Sequence, residues 1–353
     1  MAGFFQRLFG KGEPHVVTIM PLNVEVSVQP SQTLLEAALA QGVAFPHNCT
    51  VGTCASCKCR LTSGQVKALT DFGYTLSKEE LSAGYILACQ ARLKSAVTVE
   101  IESQAADIPA PEHFDGRIQR IVDLTHDIKA LSISLDHPMN FVAGQYANIR
   151  IDGLPARSYS FATAPDRGGR KEVTFFIRKV PGGLLTEKLF SGQILSNDVA
   201  VDGPHGTFYL RQGEGPILCI AGGSGLAPLL SLLQFARKNR TRRPCTVLFG
   251  ARTQKDLYAL DQIEEIGREW LPSFKFLPVL SNEPEDSSWQ GLRGLVTSHL
   301  TKDILKGDGE NTQAYMCGPP PMIDAAITTL TELGIALAAI HYDKFTDASF
   351  VKH

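Results

Sequence analysis

Residues 46–61 read PHNCTVGTCASCKCRL and hold four of the chain's eight cysteines. With Cys89 downstream, the set Cys49, Cys54, Cys57 and Cys89 follows C-x4-C-x2-C plus one distant cysteine. That is the plant-type spacing for a [2Fe–2S] cluster, and soft thiolates suit such a centre. Gly52, Thr53, Ala55 and Ser56 crowd between the ligands. Small residues let backbone approach closely and turn its N–H groups toward sulfur. A structural zinc site uses the same thiolates, but it usually pairs them in two short hooks, whereas here three share one loop. Cys59 competes with Cys57 as third ligand; the reading adopted puts Cys57 on the metal and Cys59, small and buried, on the following strand. Disulfides are the third reading, disfavoured in a chain with no signal peptide. The spacing therefore predicts a one-electron centre, and the rest of the chain should supply or consume electrons.

The 353 residues are enough for two or three domains. Composition is that of a globular protein, with 44% hydrophobic and 20% charged residues. A net charge of −2 gives no reason to expect nucleic acid. No apolar run reaches membrane-spanning length, and no secretory leader is visible, so the expected location is the cytoplasm. The first residues, MAGFFQRLFGK, put Phe4, Phe5, Leu8 and Phe9 on one helical face beside Arg7 and Lys11. Residues 3–11 can touch a membrane surface or a partner, or pack as a short tail on their own domain.

Residues 14–30 predict two strands around a turn at Pro21–Asn23, then a helix over LLEAALAQ capped by Ser31 or Thr33. Strand-like KCRLTSG, QVKAL and VTVEI follow, with a polar stretch around SKEEL; the unit reads as small α+β. Residues 103–113, rich in small residues, prolines and acids, read as a linker. Next come GRIQRIVDL, LSISL, QYANIRI, RSYSFAT, VTFFIRKV and VAVDGP, a run of alternating strands interrupted by helical LLTEKLFS. That is a small antiparallel barrel. From about Pro216, strands PILCIAG, CTVLFGA, FKFLPVL and AYMCG alternate with helices APLLSLLQFARK, LDQIEEIGREW and PPMIDAAITTLTEL. This is a parallel α/β pattern, with ligands expected at the carboxyl ends of the strands.

Four short motifs carry the remaining chemistry. Arg157-Ser158-Tyr159-Ser160 sits on a barrel strand, where Arg157 and Tyr159 share a face. The guanidinium fork suits a phosphate, the ring suits a planar cofactor, and Ser160 can bond that cofactor's edge. Gly182, Gly183 and Thr186 open a helix whose free amides can take a phosphate, or form an ordinary capped turn. Gly223, Ser224 and Gly225 follow the apolar strand ILCI and open another helix, with Pro228 where the dinucleotide fingerprint has its last glycine. The fingerprint's later acidic residue is absent, and Arg252 stands where a 2′-phosphate can be met. Cys317-Gly318-Pro319 ends a strand and presents Cys317 at the sheet's ligand edge, or, read alone, leaves it a buried structural cysteine.

In this order, AFPHNCTVGTC, RSYSFAT, VPGG, AGGSGLAP, FGART…DLY and CGPPPMIDAA resemble the flavin-dependent oxygenase reductases of the ferredoxin–NADP⁺ reductase superfamily. The likeness runs from about residue 14 to residue 346 and leans toward the reductase components of hydrocarbon monooxygenases. It implies a β-grasp ferredoxin over 14–102, an FAD barrel over 114–211 and a nicotinamide domain over 212–353, after a tail at 1–13. It places Arg157, Gly182, Gly183 and Thr186 on the FAD pyrophosphate. Gln145, Tyr146 and Tyr159 lie beside the isoalloxazine, with Ser160 near its N5. Ser158 joins the FAD strand, and Gly223, Ser224, Gly225, Gly318 and Pro319 meet the dinucleotide. Cys317 places the nicotinamide, Asp343 belongs to an acidic C-terminal ending, and Phe345 or Phe350 covers the flavin. The implied activity is electron flow from NADH, by likeness preferred over NADPH, through FAD and [2Fe–2S] to an oxygenase. A di-iron monooxygenase is favoured, a Rieske dioxygenase or a non-oxygenase acceptor is the alternative, and a monomer is expected.

Overall fold

The computed structural model describes residues 13–47, 49–102, 108–305 and 308–346. Residues 3–11 and Phe350 lie outside the described residues. Two compact units divide the chain, Met1–Ala106 and Asp107–His353.

In the first unit, β1 (His15–Met20) and β2 (Val24–Val28) form an antiparallel hairpin. Alternation buries Val17, Ile19, Val26 and Val28 on one face. Helix α1 (Leu34–Ala40) starts at Thr33, whose hydroxyl accepts the Glu36 N–H at 3.2 Å while Glu36 accepts the Thr33 N–H at 2.8 Å. Thr33 is therefore the cap, not Ser31. The helix buries Leu34, Leu35, Ala37 and Ala38 in the same core as the sheet. The other elements are β3 (Lys58–Ser63), β4 (Val66–Ala68), α2 (Lys78–Ser82), β5 (Tyr85–Leu87), β6 (Ala91–Leu93) and β7 (Val97–Glu100). The main sheet runs β2-β1-β7-β3-β5, with β1 and β7 parallel, and β4 pairs with β6. The polar stretch around SKEEL is helix α2, opened by a capping box between Ser77 and Glu80.

In the second unit, β8 (Glu112–Asp123), β9 (Ile128–Met139), β10 (Tyr146–Ile151), β11 (Arg157–Ser160), β12 (Arg170–Arg178) and β13 (Asp198–His205) form one antiparallel sheet, with α3 (Leu184–Ser191) before β13. The order is β11-β10-β13-β8-β9-β12. A bridge between Phe161 and Phe175 joins the two ends, so the sheet closes as a barrel. Strand β8 starts at Glu112, inside the stretch read as a linker, because Glu112 and His113 pair with Gly203 and Asp202.

Beyond it come β14 (Ile217–Gly222), α4 (Leu226–Lys238), β15 (Cys245–Ala251), α5 (Leu260–Glu269), β16 (Phe274–Leu280), β17 (Leu292–Arg293), β18 (Gln313–Gly318), α6 (Pro320–Glu332) and β19 (Ile340–Lys344). The parallel sheet runs β17-β16-β15-β14-β18-β19. Every residue of β14 is buried, as its unbroken apolar run requires. The chain leaves β14 toward β15 on one side and later returns to β18 on the other. That reversal opens a crevice at the carboxyl ends of β14 and β18. Strand β19 lacks a clear periodic signal and owes its place to pairing with β18, which sets Asp343 opposite Cys317.

Candidate cofactor sites

In the first unit, pairing of Lys58 with Leu87 brings the chain after Cys57 beside the chain before Cys89. Cys89 then falls in a 3₁₀ turn, Ala88–Gln90, and Ala88 N–H donates to the Cys57 carbonyl at 3.2 Å. Cys57 and Cys89 are buried; Cys49 and Cys54 are partly exposed. Among the described residues three backbone amides point at sulfur: Cys49 N–H to Cys54 Sγ at 3.3 Å, Thr53 N–H to Cys49 Sγ at 3.3 Å, and Cys89 N–H to Cys57 Sγ at 3.5 Å. Gly52 has φ +82°, and a Cβ there would stand 2.7 Å from Gln90 Cγ. The loop therefore needs glycine for both its turn and its clearance. Hydrogen bonds among the thiols pull Cys49 and Cys57 below the ordinary thiol range and push Cys54 and Cys89 above it. Cys59 lies in β3, fully enclosed, with burial pushing its thiol up. Four converging sulfurs with amide donors fit a [2Fe–2S] cluster, whose anionic sulfurs need such dipoles.

In the barrel, alternation along β11 leaves Arg157 exposed and Tyr159 half-buried on one face. Burial pushes the Tyr159 phenol up to about 12. On the other face Ser158 donates to Asn148 Oδ1 at 2.7 Å, and Ser160 is buried. Tyr146, opposite Ser160 in the ladder, sets its ring 5.6 Å from that of His205. Gln145 braces the backbone on either side of it, because its side chain accepts the Val142 N–H at 2.8 Å and donates to the Gly206 carbonyl at 3.0 Å. Thr186 is likewise engaged locally, accepting the Val180 N–H at 3.1 Å. Gly183 precedes α3, and no side chain caps that helix. A Cβ on Gly183 would stand 2.7 Å from Thr186 Oγ1, while Gly182, at φ +73°, faces open space. An exposed guanidinium, a ring on the same face and an uncapped helix start fit a flavin dinucleotide.

At the carboxyl ends of the parallel strands lies a cavity of about 400 Å³. Gly222, Gly223, Gly250, Ser281 and Pro319 line it, together with Arg252 and two barrel residues, Asp127 and Arg178. Asp127 accepts from Arg252 Nη2 at 2.9 Å and from Arg178 Nε at 3.2 Å, and Arg252 also reaches Asp256 at 3.3 Å. Burial raises the Asp127 carboxyl, but the Thr125 hydroxyl and both guanidiniums outweigh it, holding the group below the usual range. Arg252 is therefore charge-compensated by two carboxylates. Sequence reading missed Asp127 and Arg178; a lone acid in a hairpin turn and a lone arginine at a strand end give no local signal.

Of the other residues expected here, Ser224, Gly225, Cys317 and Gly318 are not among the lining residues. Gly225 packs behind them: a Cβ there would stand 2.1 Å from the Cys317 carbonyl oxygen. Cys317 is fully buried; burial, then the Asp343 charge, raise its thiol far above the ordinary range. Burial pushes the Asp343 carboxyl up to about 7. Phe345 donates its N–H to the Gly318 carbonyl at 2.8 Å and packs on the core that contains Cys317. The glycine-lined mouth of the sheet fits a nicotinamide dinucleotide.

Three families match successive stretches of the chain: the 2Fe-2S iron-sulfur cluster binding domain over residues 17–94, the oxidoreductase FAD-binding domain over 115–209 and the oxidoreductase NAD-binding domain over 219–328. Together they define an iron–sulfur flavoprotein oxidoreductase that uses a nicotinamide cofactor. The chain is 38% identical to the xylene/toluene monooxygenase electron transfer component XylA of Pseudomonas putida, over 98% of each chain. It is 35% identical to the ferredoxin–NAD(P)⁺ reductase component of the naphthalene 1,2-dioxygenase system of Pseudomonas putida, over 93% of this chain and 97% of that protein. A solved structure, the ferredoxin reductase in carbazole 1,9a-dioxygenase, superposes with a TM-score of 0.64 at 27% identity, over 95% of this chain and 99% of that one. The chain belongs to the family of oxygenase reductase components built from ferredoxin, FAD and nicotinamide modules.

Proposed function

We propose that this chain carries electrons from NADH to a terminal oxygenase, with a di-iron monooxygenase acting on hydrocarbon or aromatic compounds as the favoured partner. The observation that carries this reading is the convergence of Cys49, Cys54, Cys57 and Cys89 under amide donors. When bound, a flavin would take one hydride, two electrons at once, and supply single electrons that a [2Fe–2S] cluster can accept one at a time. The chain's own residues hold and align these groups. Cys49, Cys54, Cys57 and Cys89 ligate the cluster. Arg157 and the start of α3 bind the FAD pyrophosphate, and Tyr159 packs on its ring system. Gly223 and Pro319 receive the dinucleotide, with Gly225 and Cys317 shaping the wall behind. Asp343 and Phe345 close the C-terminal side.

The module limits are proposed as 14–102, 112–211 and 212–353, with the linker ending before Glu112, where β8 begins. NADH preference is supported by Arg252, whose charge is already compensated within a cluster of Arg252, Arg178, Asp127 and Asp256. Assigning four of the eight cysteines to a metal centre rather than to disulfides favours a reducing compartment such as the cytoplasm. No helix among the described residues is long and apolar enough to cross a membrane. The working unit is read as a monomer. Likeness to the xylene/toluene component supports the monooxygenase partner, and likeness to the naphthalene component supports a dioxygenase as second reading. Mixing the purified chain with representative oxygenases and measuring NADH-coupled product separates the two. Deleting residues 2–10 and comparing coupling to membranes tests the apolar tail. Replacing Cys54 with Ser should spare NADH-to-ferricyanide reduction and abolish cytochrome c reduction; loss of both with FAD still bound overturns the relay order.

A further inference from the structure

Thr75 lies outside the thiol loop and is 94% enclosed, with 6% of its surface exposed. Its hydroxyl donates to the Gly52 carbonyl oxygen at 2.5 Å. The N–H of that same peptide, on Thr53, donates to Cys49 Sγ at 3.3 Å. A trans peptide is rigid and planar, so its C=O and N–H point opposite ways. Holding the oxygen from outside therefore aims the N–H at the sulfur. The two hydrogen bonds also act in series, each polarising the peptide in the sense that strengthens the other.

Thr75 is itself firmly placed. It follows the 3₁₀ turn Phe72–Tyr74, with its N–H on the Phe72 carbonyl at 3.0 Å. The segment that carries it is tied to the ligand strand by the Lys58–Glu80 ion pair at 2.5 Å, in which Glu80 is 2% exposed. A neighbouring loop carbonyl, that of Thr50, is held by Gln90 Nε2 at 2.8 Å. The loop thus keeps an external anchor when the Thr75 hydroxyl is removed.

We propose that Thr75 is a positioning residue that tunes the candidate [2Fe–2S] centre by fixing the Gly52–Thr53 peptide against Cys49. The inference rests on the cluster reading above. An N–H dipole aimed at a ligand sulfur favours the extra negative charge of the reduced state, so it raises the reduction potential. Thr75→Val keeps the shape and removes the hydroxyl; Thr75→Ser keeps the hydroxyl and removes the methyl.

The test is a redox titration of wild type and both variants, followed by EPR, with iron and sulfide content measured on the same samples. Thr75→Val should lower the potential, with about tenfold weaker preference for the reduced form, about 59 mV for one electron. Thr75→Ser should restore the wild-type value. If Thr75→Val loses the cluster while Thr75→Ser keeps it at the wild-type potential, the hydroxyl is still shown to be needed. An unchanged or raised potential in Thr75→Val overturns the inference, as does equal loss or equal shift in both variants. Wild-type protein without iron and sulfide overturns the cluster reading and this inference with it; the other adverse outcomes overturn this inference alone.

Discussion

The thiol loop and the nicotinamide cavity are assembled by opposite routes. Three of the four candidate metal ligands fall between residues 49 and 57, and β3–β5 pairing delivers the fourth. The cavity draws on residues from Asp127 in the barrel to Ala325 in α6. A local site depends on a short stretch of backbone and few neighbours. A distributed site depends on the whole fold of its unit. The two should therefore fail differently when perturbed.

The sharpest separation is expected from Cys54→Ser. Cytochrome c reduction should drop to background, while flavin content and NADH-to-ferricyanide turnover persist. If flavin binding is lost as well, the sites are not independent and the comparison breaks.

The converse perturbation is Gly225→Ala. Its Cβ would meet the Cys317 carbonyl at 2.1 Å, so the start of α4 and the end of β18 must part. Overpacking of this kind costs about 1–3 kcal/mol, and thermal unfolding of the second unit should show it. Gly153→Ala is the control: nothing lies within 4 Å of its Cβ, and only its φ of +67° resists. That change should cost about 1–2 kcal/mol, the ordinary penalty of a Cβ in the left-handed region, and Gly225→Ala should exceed it because two backbones must also separate. Equal effects at the two glycines would remove the argument for close packing behind the cavity.

Smaller effects should follow at the cavity's charged edge. Asp127→Asn weakens the hold on Arg252 and Arg178 and leaves a cation beside the dinucleotide site. The ratio of kcat/KM for NADPH to that for NADH should rise about 5–10-fold, about 1–1.4 kcal/mol of discrimination. An unchanged ratio would show that Arg252 lies outside the coenzyme's reach.

The last effect is pH-dependent and is discounted because the Asp343 side chain is partly exposed. Burial raises the Asp343 carboxyl from 3.8 to about 7 in the folded chain. The folded state then binds this proton more tightly than the unfolded one. The resulting stability is complete below about 3.8 and is lost as pH rises toward about 7. Asp343→Asn stays neutral, so its Tm should gain on wild type across that window. A constant Tm difference would show that this partly exposed carboxyl titrates in the ordinary range.

The same contrast explains what is legible in the sequence. The ligand spacing, the barrel's alternating strands and the buried parallel strands declare themselves within short windows. Helix α3 matches its expected span, Leu184–Ser191, because two glycines precede it and Gly192 in the left-handed region ends it. Helix α2 escapes a reading by periodicity because its five residues are mostly polar, although Ser77 and Glu80 spell a capping box. Strand β19 escapes it because its residues gain strand character only beside β18. Gln145 and Thr186, which the family likeness places at the flavin, also hold nearby backbone through their side chains, a role only the folded chain shows. Asp127 and Arg178 are invisible there because only the folded unit places them at the cavity.

The most direct test is anaerobic addition of NADH to purified wild type and Cys54→Ser, with visible absorption and EPR recorded together. The account expects wild type to hold about two iron and two sulfide per chain. Flavin should bleach in both proteins, and the EPR signal of a reduced [2Fe–2S] cluster should develop in wild type alone. Wild type that bleaches its flavin but develops no such signal, or that holds zinc in place of iron, would contradict it.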